Sequence, residues 1–214
     1  SKIQNLRHYE DLINDFFIEN SGVNLIVFPE FFTSGFSFDR NLAEDSAGET
    51  ITWIKTISTK YNTAILASIP FFENDNYYNR AIFIYQDYIE CYNKRHLFSY
   101  GGENNLFSQG NNQTIINYMG FRIFPQICYD LRFPVWSRNV GLKYDLIIYM
   151  ANWPRSRANV IEPLVRARAI ENLSYTIFVN RVGNDPLNFY EGSSLIVNYK
   201  GEIINTLGAN EQLS

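Results

Sequence analysis

Apolar residues recur at Ile3, Leu6, Tyr9, Ile13, Phe16 and Phe17, the three- and four-residue spacing of one helical face. Ser21-Gly22 punctuates that run and predicts the end of a helix. Val23 to Phe28 is an apolar stretch of strand length closed by Pro29. Ile51, Ile54 and Ile57 share one face of a helix predicted over Glu49 to Tyr61, and a strand over Ala64 to Ile69 follows. The pattern then changes. Ala81 to Tyr85 and Tyr88 to Tyr92 flank Gln86-Asp87 as a hairpin, and Ile115 to Tyr118 and Phe121 to Ile127 flank Met119-Gly120 as another. Between them, Lys94 to Asn112 is a polar, Gly-containing stretch too long for a simple connection, and such loops often carry function.

Helix and strand patterns alternate again in the last third. Pro134 suits the first turn of a helix, Asp145 to Met150 reads as a strand and Pro163 to Leu173 as a helix. Tyr175 to Val179 is the next strand, and Ser194 to Thr206 a hairpin turning at Tyr199-Lys200-Gly201. Alternation interrupted by hairpins predicts an α/β fold with mixed sheets and helices on the outer faces. With no repeat, low-complexity tract or linker, residues 1–214 are read as a single domain.

Composition narrows the function classes. Hydrophobic residues at 46% and charged residues at 19% describe a folded chain rather than a disordered one. A net charge of -4 argues against a nucleic-acid or membrane-surface binder, since polyanions are held by clustered basic charge. An aromatic content of 16% is read as packing. Two cysteines, Cys91 and Cys128, are few for a secreted disulfide scaffold, so a cytoplasmic location is expected. With two His and no Cys-x-x-Cys, neither a metal nor an organic cofactor is expected.

Three residues follow predicted strand ends, where α/β folds gather ligands. Glu30, flanked by Pro29, Phe31 and Phe32, is either a solvated strand-end acid or a general base in an apolar pocket. Lys94 is either a surface cap or a fixed ammonium for an oxyanion; Glu103, nine residues on, is either a loop-tip surface acid or a partner that pairs with it or positions a water. Cys128 is either a small buried hydrophobe or a nucleophile on a strand-to-helix turn, where helix N-terminal amides would favour thiolate and oxyanion. Cys91 alternates inside a strand and reads as core. His96, beside Leu97 and Phe98, reads as structural. Together these residues supply a base, a cation and a thiol without the Cys–His pair of papain-like sites.

At these positions the sequence resembles the nitrilase superfamily of carbon–nitrogen hydrolases, omega-amidase branch. The resemblance rests on Phe28-Pro29-Glu30-Phe31-Phe32-Thr33-Ser34-Gly35-Phe36, then Lys94-Arg95-His96-Leu97-Phe98 with Glu103 and Gly110. Cys128-Tyr129-Asp130-Leu131-Arg132-Phe133-Pro134, Ala151-Asn152-Trp153-Pro154, Ala167-Arg168-Ala169-Ile170-Glu171-Asn172 and Asn180-Arg181-Val182-Gly183 follow in family order. It implies an αββα sandwich that pairs as a homodimer. It also implies Glu30 as base, Lys94 as oxyanion stabiliser, Cys128 as nucleophile and Glu103 as supporting acid. The Tyr129 N–H would complete the oxyanion hole, Arg132 would hold a substrate carboxylate, and Trp153 and Phe32 would line the pocket. The implied reaction is hydrolysis of the terminal amide of a short 2-oxo acid monoamide, such as 2-oxoglutaramate, through a cysteine thioester. The alternative for Arg132 is an ion pair with Asp130 or with an acid of a second copy.

Two departures from the family pattern accompany this. The family opens with a strand before the Ile3 helix and continues beyond Leu213, so the chain is read as a fragment. Ile161-Glu162 stands where the omega-amidase pattern has a Trp, which bears on fine specificity. Rival readings are another amidase, carbamoylase or nitrilase of the superfamily, a metal-dependent phosphodiesterase on a similar sandwich, and a binding protein that keeps only the fold.

Overall fold

The computed structural model describes residues 1–213. Helix α1 (Lys2–Glu19) starts where the Ser1 hydroxyl accepts the Gln4 N–H, and it buries Leu6 and Ile13. Strand β1 (Leu25–Val27), helix α2 (Glu49–Tyr61) and strands β2 (Ala64–Glu73), β3 (Asn76–Tyr85) and β4 (Tyr88–Asn93) follow. They form a sheet in the order β1-β2-β3-β4, with β1 parallel to β2 and the other pairs antiparallel. Strands β5 (Ile116–Tyr118) and β6 (Phe121–Ile127) lead through the short helix α3 (Pro134–Ser137) to β7 (Leu146–Ala151). Then come α4 (Ile161–Asn172), β8 (Tyr175–Asn180), a small hairpin of β9 (Val182–Asn184) and β10 (Phe189–Glu191), β11 (Ser194–Val197) and β12 (Ile203–Leu207). The second sheet runs β12-β11-β8-β7-β6-β5, parallel only across β6, β7 and β8.

Burial gives the layers. Alternate residues of β2 separate: Ile65, Ala67 and Ile69 pack with Ile51, Ile54 and Ile57 of α2, while Ala64 and Leu66 join a core containing Phe124, Ile127 and Ile148 of the second sheet. Both faces of β2 are therefore dry, which explains an apolar run without polar alternation. Tyr92 of β4 meets Phe124 of β6, and Phe83 of β3 meets Tyr118 of β5, so the two sheets stack face to face. Ile161, Val165 and Ala169 of α4 close the other side of the second sheet. The result is the αββα sandwich.

Several predicted boundaries move. β2 continues past Ile69 and β3 begins before Ala81, because Pro70↔Asn79 through Glu73↔Asn76 pair as a long antiparallel extension. Helix α4 begins at Ile161 rather than Pro163; proline is tolerated in a first turn because those amides lack intrahelical acceptors. Cys91 corrects the expectation of a core residue: it lies exposed on edge strand β4. The β9–β10 hairpin was not foreseen.

Candidate active site

Glu30 sits in the turn after β1, where Phe28 N–H still bonds the Leu66 carbonyl at 2.9 Å. Phe31 then takes φ 51°, a left-handed conformation rare outside glycine. Its ring is buried with Leu97 and Phe107. The kink turns the Glu30 carboxylate inward, leaving the residue 1% exposed.

Lys94 directly follows β4 and is completely buried. Its N–H donates to the Asn79 carbonyl of β3 at 2.9 Å and its own carbonyl accepts Gly110 N–H at 2.8 Å. A Cβ on Gly110 would lie 2.0 Å from the Asn93 carbonyl oxygen, so only glycine allows the loop to close here. That loop folds Glu103 back onto Lys94. Lys94 Nζ lies 2.7 Å from Glu30 Oε1 and 2.9 Å from Glu103 Oε2, and Glu103 Oε2 also accepts Phe98 N–H at 2.6 Å. Asn79, which sequence reasoning missed, donates through Nδ2 to Glu30 Oε1 at 2.7 Å and to Glu103 Oε1 at 2.8 Å. From the second sheet, Asn152 N–H reaches Glu30 Oε2 at 3.1 Å, and its side-chain amide holds the Glu30 carbonyl.

Cys128 follows β6 at φ 44°, opening a 3₁₀ turn over Cys128–Arg132. Asp130 fastens this turn. Its Oδ2 accepts Tyr92 O–H at 2.8 Å and Ile127 N–H at 3.1 Å, while Oδ1 accepts His96 N–H at 2.8 Å and contacts His96 Nδ1 at 2.8 Å. His96 in turn stacks on Phe133 at 3.7 Å, the structural role expected of it. With both Asp130 oxygens taken, the suggested Asp130–Arg132 pair is not made.

Electrostatics corrects one expectation. Burial, reinforced by nearby Glu30, pushes the Cys128 thiol well above its ordinary value despite Lys94. A five-residue 3₁₀ turn offers too little aligned dipole to offset this. The resting group is a thiol, and attack requires a base. Burial also raises Glu103, against the pull of Lys94. Burial opposes charge on Lys94, but Glu103 and Glu30 hold its pKa above the ordinary lysine value, so it stays an ammonium.

Cys128 opens into a cleft of about 1740 Å³ that also contacts Glu30, Tyr129, Arg132, Asn152 and Trp153. This is larger than a small-substrate site needs, and the chemistry occupies one end of it. Arg132 lies with its guanidinium 5.0 Å from the Trp153 ring centre, and Arg157 lies 4.8 Å from that of Phe98. Both line the cleft and neither makes an ion pair among the described residues. Trp153 is fixed by its N–H to Asn180 Oδ1 at 2.8 Å and its indole N–H to the Arg157 carbonyl at 2.8 Å. Tyr129 packs edge-on to Phe98 and Phe133, and its N–H belongs to a first turn whose amides lack intrahelical acceptors. Phe32 reaches the cleft wall, yet its ring stacks on Phe28 at 4.5 Å within the core under α1 and α2. Ile161 is buried, Glu162 pairs with Arg166 at 3.3 Å, and neither lines the cleft. Among the described residues no group of three or more His, Cys, Asp or Glu could hold a metal ion, and no helix is long and apolar enough to cross a membrane.

The sequence and the fold have close counterparts. A family model described as carbon-nitrogen hydrolase matches residues 1–214. The omega-amidase YafV of Yersinia enterocolitica is 42% identical over 203 residues, 93% of this chain and 77% of that protein. The 2-oxoglutaramate amidase of Bacillus subtilis is 30% identical over 205 residues, 92% of this chain and 79% of that one. A CN-hydrolase superfamily protein of Xanthomonas campestris, solved with an arsenic adduct in its active site, superposes with a TM-score of 0.92 at 35% identity, covering 99% of this chain and 83% of that one.

Proposed function

The chain belongs to the carbon–nitrogen hydrolase family, and on that premise we propose that it is an omega-amidase, releasing ammonia from the terminal amide of a short 2-oxo acid monoamide. One observation carries the reading: Cys128 and Glu30 line the same cleft, and behind them is a buried carboxylate–ammonium cluster in which Lys94 Nζ lies 2.7 Å from Glu30 Oε1. In the proposed reaction Glu30 takes the Cys128 proton as sulfur attacks the amide carbon. The Lys94 ammonium and the Tyr129 N–H hold the oxyanion. Collapse breaks the C–N bond, Glu30 protonates the departing nitrogen, and ammonia leaves a thioester. Glu30 then deprotonates water, which attacks the thioester, and Cys128 recovers its proton as the carboxylate forms. Glu103 supports this by holding the Lys94 ammonium through both of its carboxylate oxygens.

The omega-amidase and 2-oxoglutaramate amidase activities of similar proteins support the substrate class. So do Arg132 and Arg157, cations on the cleft wall suited to the anionic end of such a substrate. The reading includes a homodimer, supported by exposed Ile170 and Leu173 at the end of α4, and a reducing cytoplasm, supported by two free thiols. An ammonia-release assay across small amides, with and without a 2-oxo acid end, tests it. Turnover confined to neutral amides or to nitriles would replace the omega-amidase reading with another member of the family.

A further inference from the structure

Glu30 must present one oxygen to the thiol while the rest of its carboxylate stays fixed. An ionised carboxylate offers about four acceptor positions. On Oε1, Lys94 Nζ and Asn79 Nδ2 each donate at 2.7 Å; on Oε2, Asn152 N–H donates at 3.1 Å. The remaining position is on Oε2, the oxygen left to meet a proton from Cys128. What saturates Oε1 therefore decides which oxygen works.

Asn79 is itself oriented. Phe31 N–H donates to Ser68 Oγ at 3.4 Å, and the Ser68 hydroxyl donates to Asn79 Oδ1 at 2.7 Å. With its oxygen so engaged, the Asn79 amide turns both N–H bonds to carboxylates, one to Glu30 and one to Glu103. Ser68 and Asn79 are fully buried, so no solvent competes for these bonds. The backbone of Asn79 also holds Lys94, whose N–H it accepts at 2.9 Å.

We propose that Asn79, oriented by Ser68, is a positioning residue that locks Glu30 Oε1 and Glu103 Oε1 so that Glu30 Oε2 alone faces Cys128. It touches no reacting atom. It donates to both carboxylates at once, which lets them sit side by side beneath a single ammonium. This inference rests on the amidase reading for its kinetic consequence, but its geometric content is independent of the substrate.

The test uses Asn79→Asp and Ser68→Ala, each in a Cys91→Ala background so that Cys128 is the only thiol. Asn79→Asp keeps the shape and replaces two donors with a charged acceptor. Amide turnover should fall by about 10²-fold in kcat, within the range for a compromised general base, with KM nearly unchanged. The pH profile of Cys128 alkylation by iodoacetamide, which needs no substrate turnover, should move to higher pH, because an added negative charge disfavours both thiolate and carboxylate. Ser68→Ala frees the amide to rotate and should show the same shift to a smaller degree, about tenfold in kcat on the same scale, with its melting temperature nearly kept. If Asn79→Asp does not fold, Ser68→Ala decides. Alkylation profiles that coincide with the parent, or losses equal at every pH with a lowered melting temperature, overturn the proposal. An inactive parent whose alkylation profile still shifts on substitution overturns the amidase reading and leaves the positioning role standing.

Discussion

Asn152 grips Glu30 from two directions: its backbone N–H donates to the carboxylate and its side-chain amide to the Glu30 carbonyl. The first residue follows β7 of one sheet and the second follows β1 of the other, so this contact joins the two halves of the sandwich at the reacting group. Asn152→Ala removes the side-chain part and leaves a buried carbonyl without that donor. Such a loss costs about 1–3 kcal/mol, so the melting temperature should fall, and kcat should fall with it as Glu30 loosens. Thermal melts alongside kinetics on one amide check both. Unchanged kcat with a lowered melting temperature would leave Asn152 a purely structural clasp.

Cys128→Ala should abolish amide turnover and Cys91→Ala should retain it, since Cys91 sits on an exposed sheet edge away from the cluster. The same variant reports on alkaline stability. The folded Cys128 pKa lies well above the ordinary 9.0, so the folded state holds that proton more tightly than the unfolded one. The stability this contributes is complete below pH 9.0 and is lost as pH rises toward the folded value. Each unit traversed is worth about 1.4 kcal/mol. Melting curves from pH 8 to 10 should therefore show the parent losing stability faster than Cys128→Ala, on the order of 1 kcal/mol. Parallel curves would count against a buried neutral thiol.

Lys94→Met removes the only cation bonded to Glu30 and Glu103 among the described residues. Breaking a buried pair by deleting one partner typically costs about 3–5 kcal/mol, and kcat should drop by about 10²–10³ from the lost oxyanion donor. The stability deficit should shrink in acid. Glu103 already has a folded pKa above 4.5, and without Lys94 it rises further. The fold then favours the protonated form, and stability is regained as pH falls through the raised value toward 4.5. Denaturant melts at neutral and mildly acid pH measure this; a deficit independent of pH would contradict it. Added zinc or EDTA should change neither parent nor variant, whereas metal dependence would favour the phosphodiesterase alternative.

Arg132→Ala should raise KM for an anionic 2-oxo monoamide by about ten- to a hundredfold, the equivalent of one charged hydrogen-bonded contact. A neutral amide of similar size should be little affected. Arg157→Ala should act in the same sense, because its guanidinium lines the same cleft without a carboxylate partner among the described residues. Comparing kcat/KM for one anionic and one neutral amide separates carboxylate recognition from packing. Equal losses on both would remove these arginines from substrate recognition.

The elements that carry the layers were legible because their apolar spacing is regular: Ile51, Ile54 and Ile57 on α2, and the unbroken run opening β2. Glu30, Lys94, Glu103 and Cys128 were legible as residues after strand ends or in an overlong loop. Asn79 was not. It lies in the polar Asn76–Arg80 half of β3, whose sequence does not read as strand, and its meaning arises only from the Pro70↔Asn79 register. Arg157 was hidden for a similar reason, since reaching the cleft depends on the turn between β7 and α4. Cys91 misled because strand alternation says which face a side chain takes, not whether another layer extends far enough to cover an edge.

The division of labour between the sheets has a mechanical corollary. Glu30, Asn79, Lys94 and Glu103 all belong to the sheet of β1 to β4 and its loops, whereas Cys128 and Asn152 hang from β6 and β7. A small slippage of one sheet across the other would separate sulfur from proton acceptor while leaving every strand ladder intact. Loss of turnover on warming should then precede loss of secondary structure, making the enzyme a strain gauge for its own inter-sheet seam.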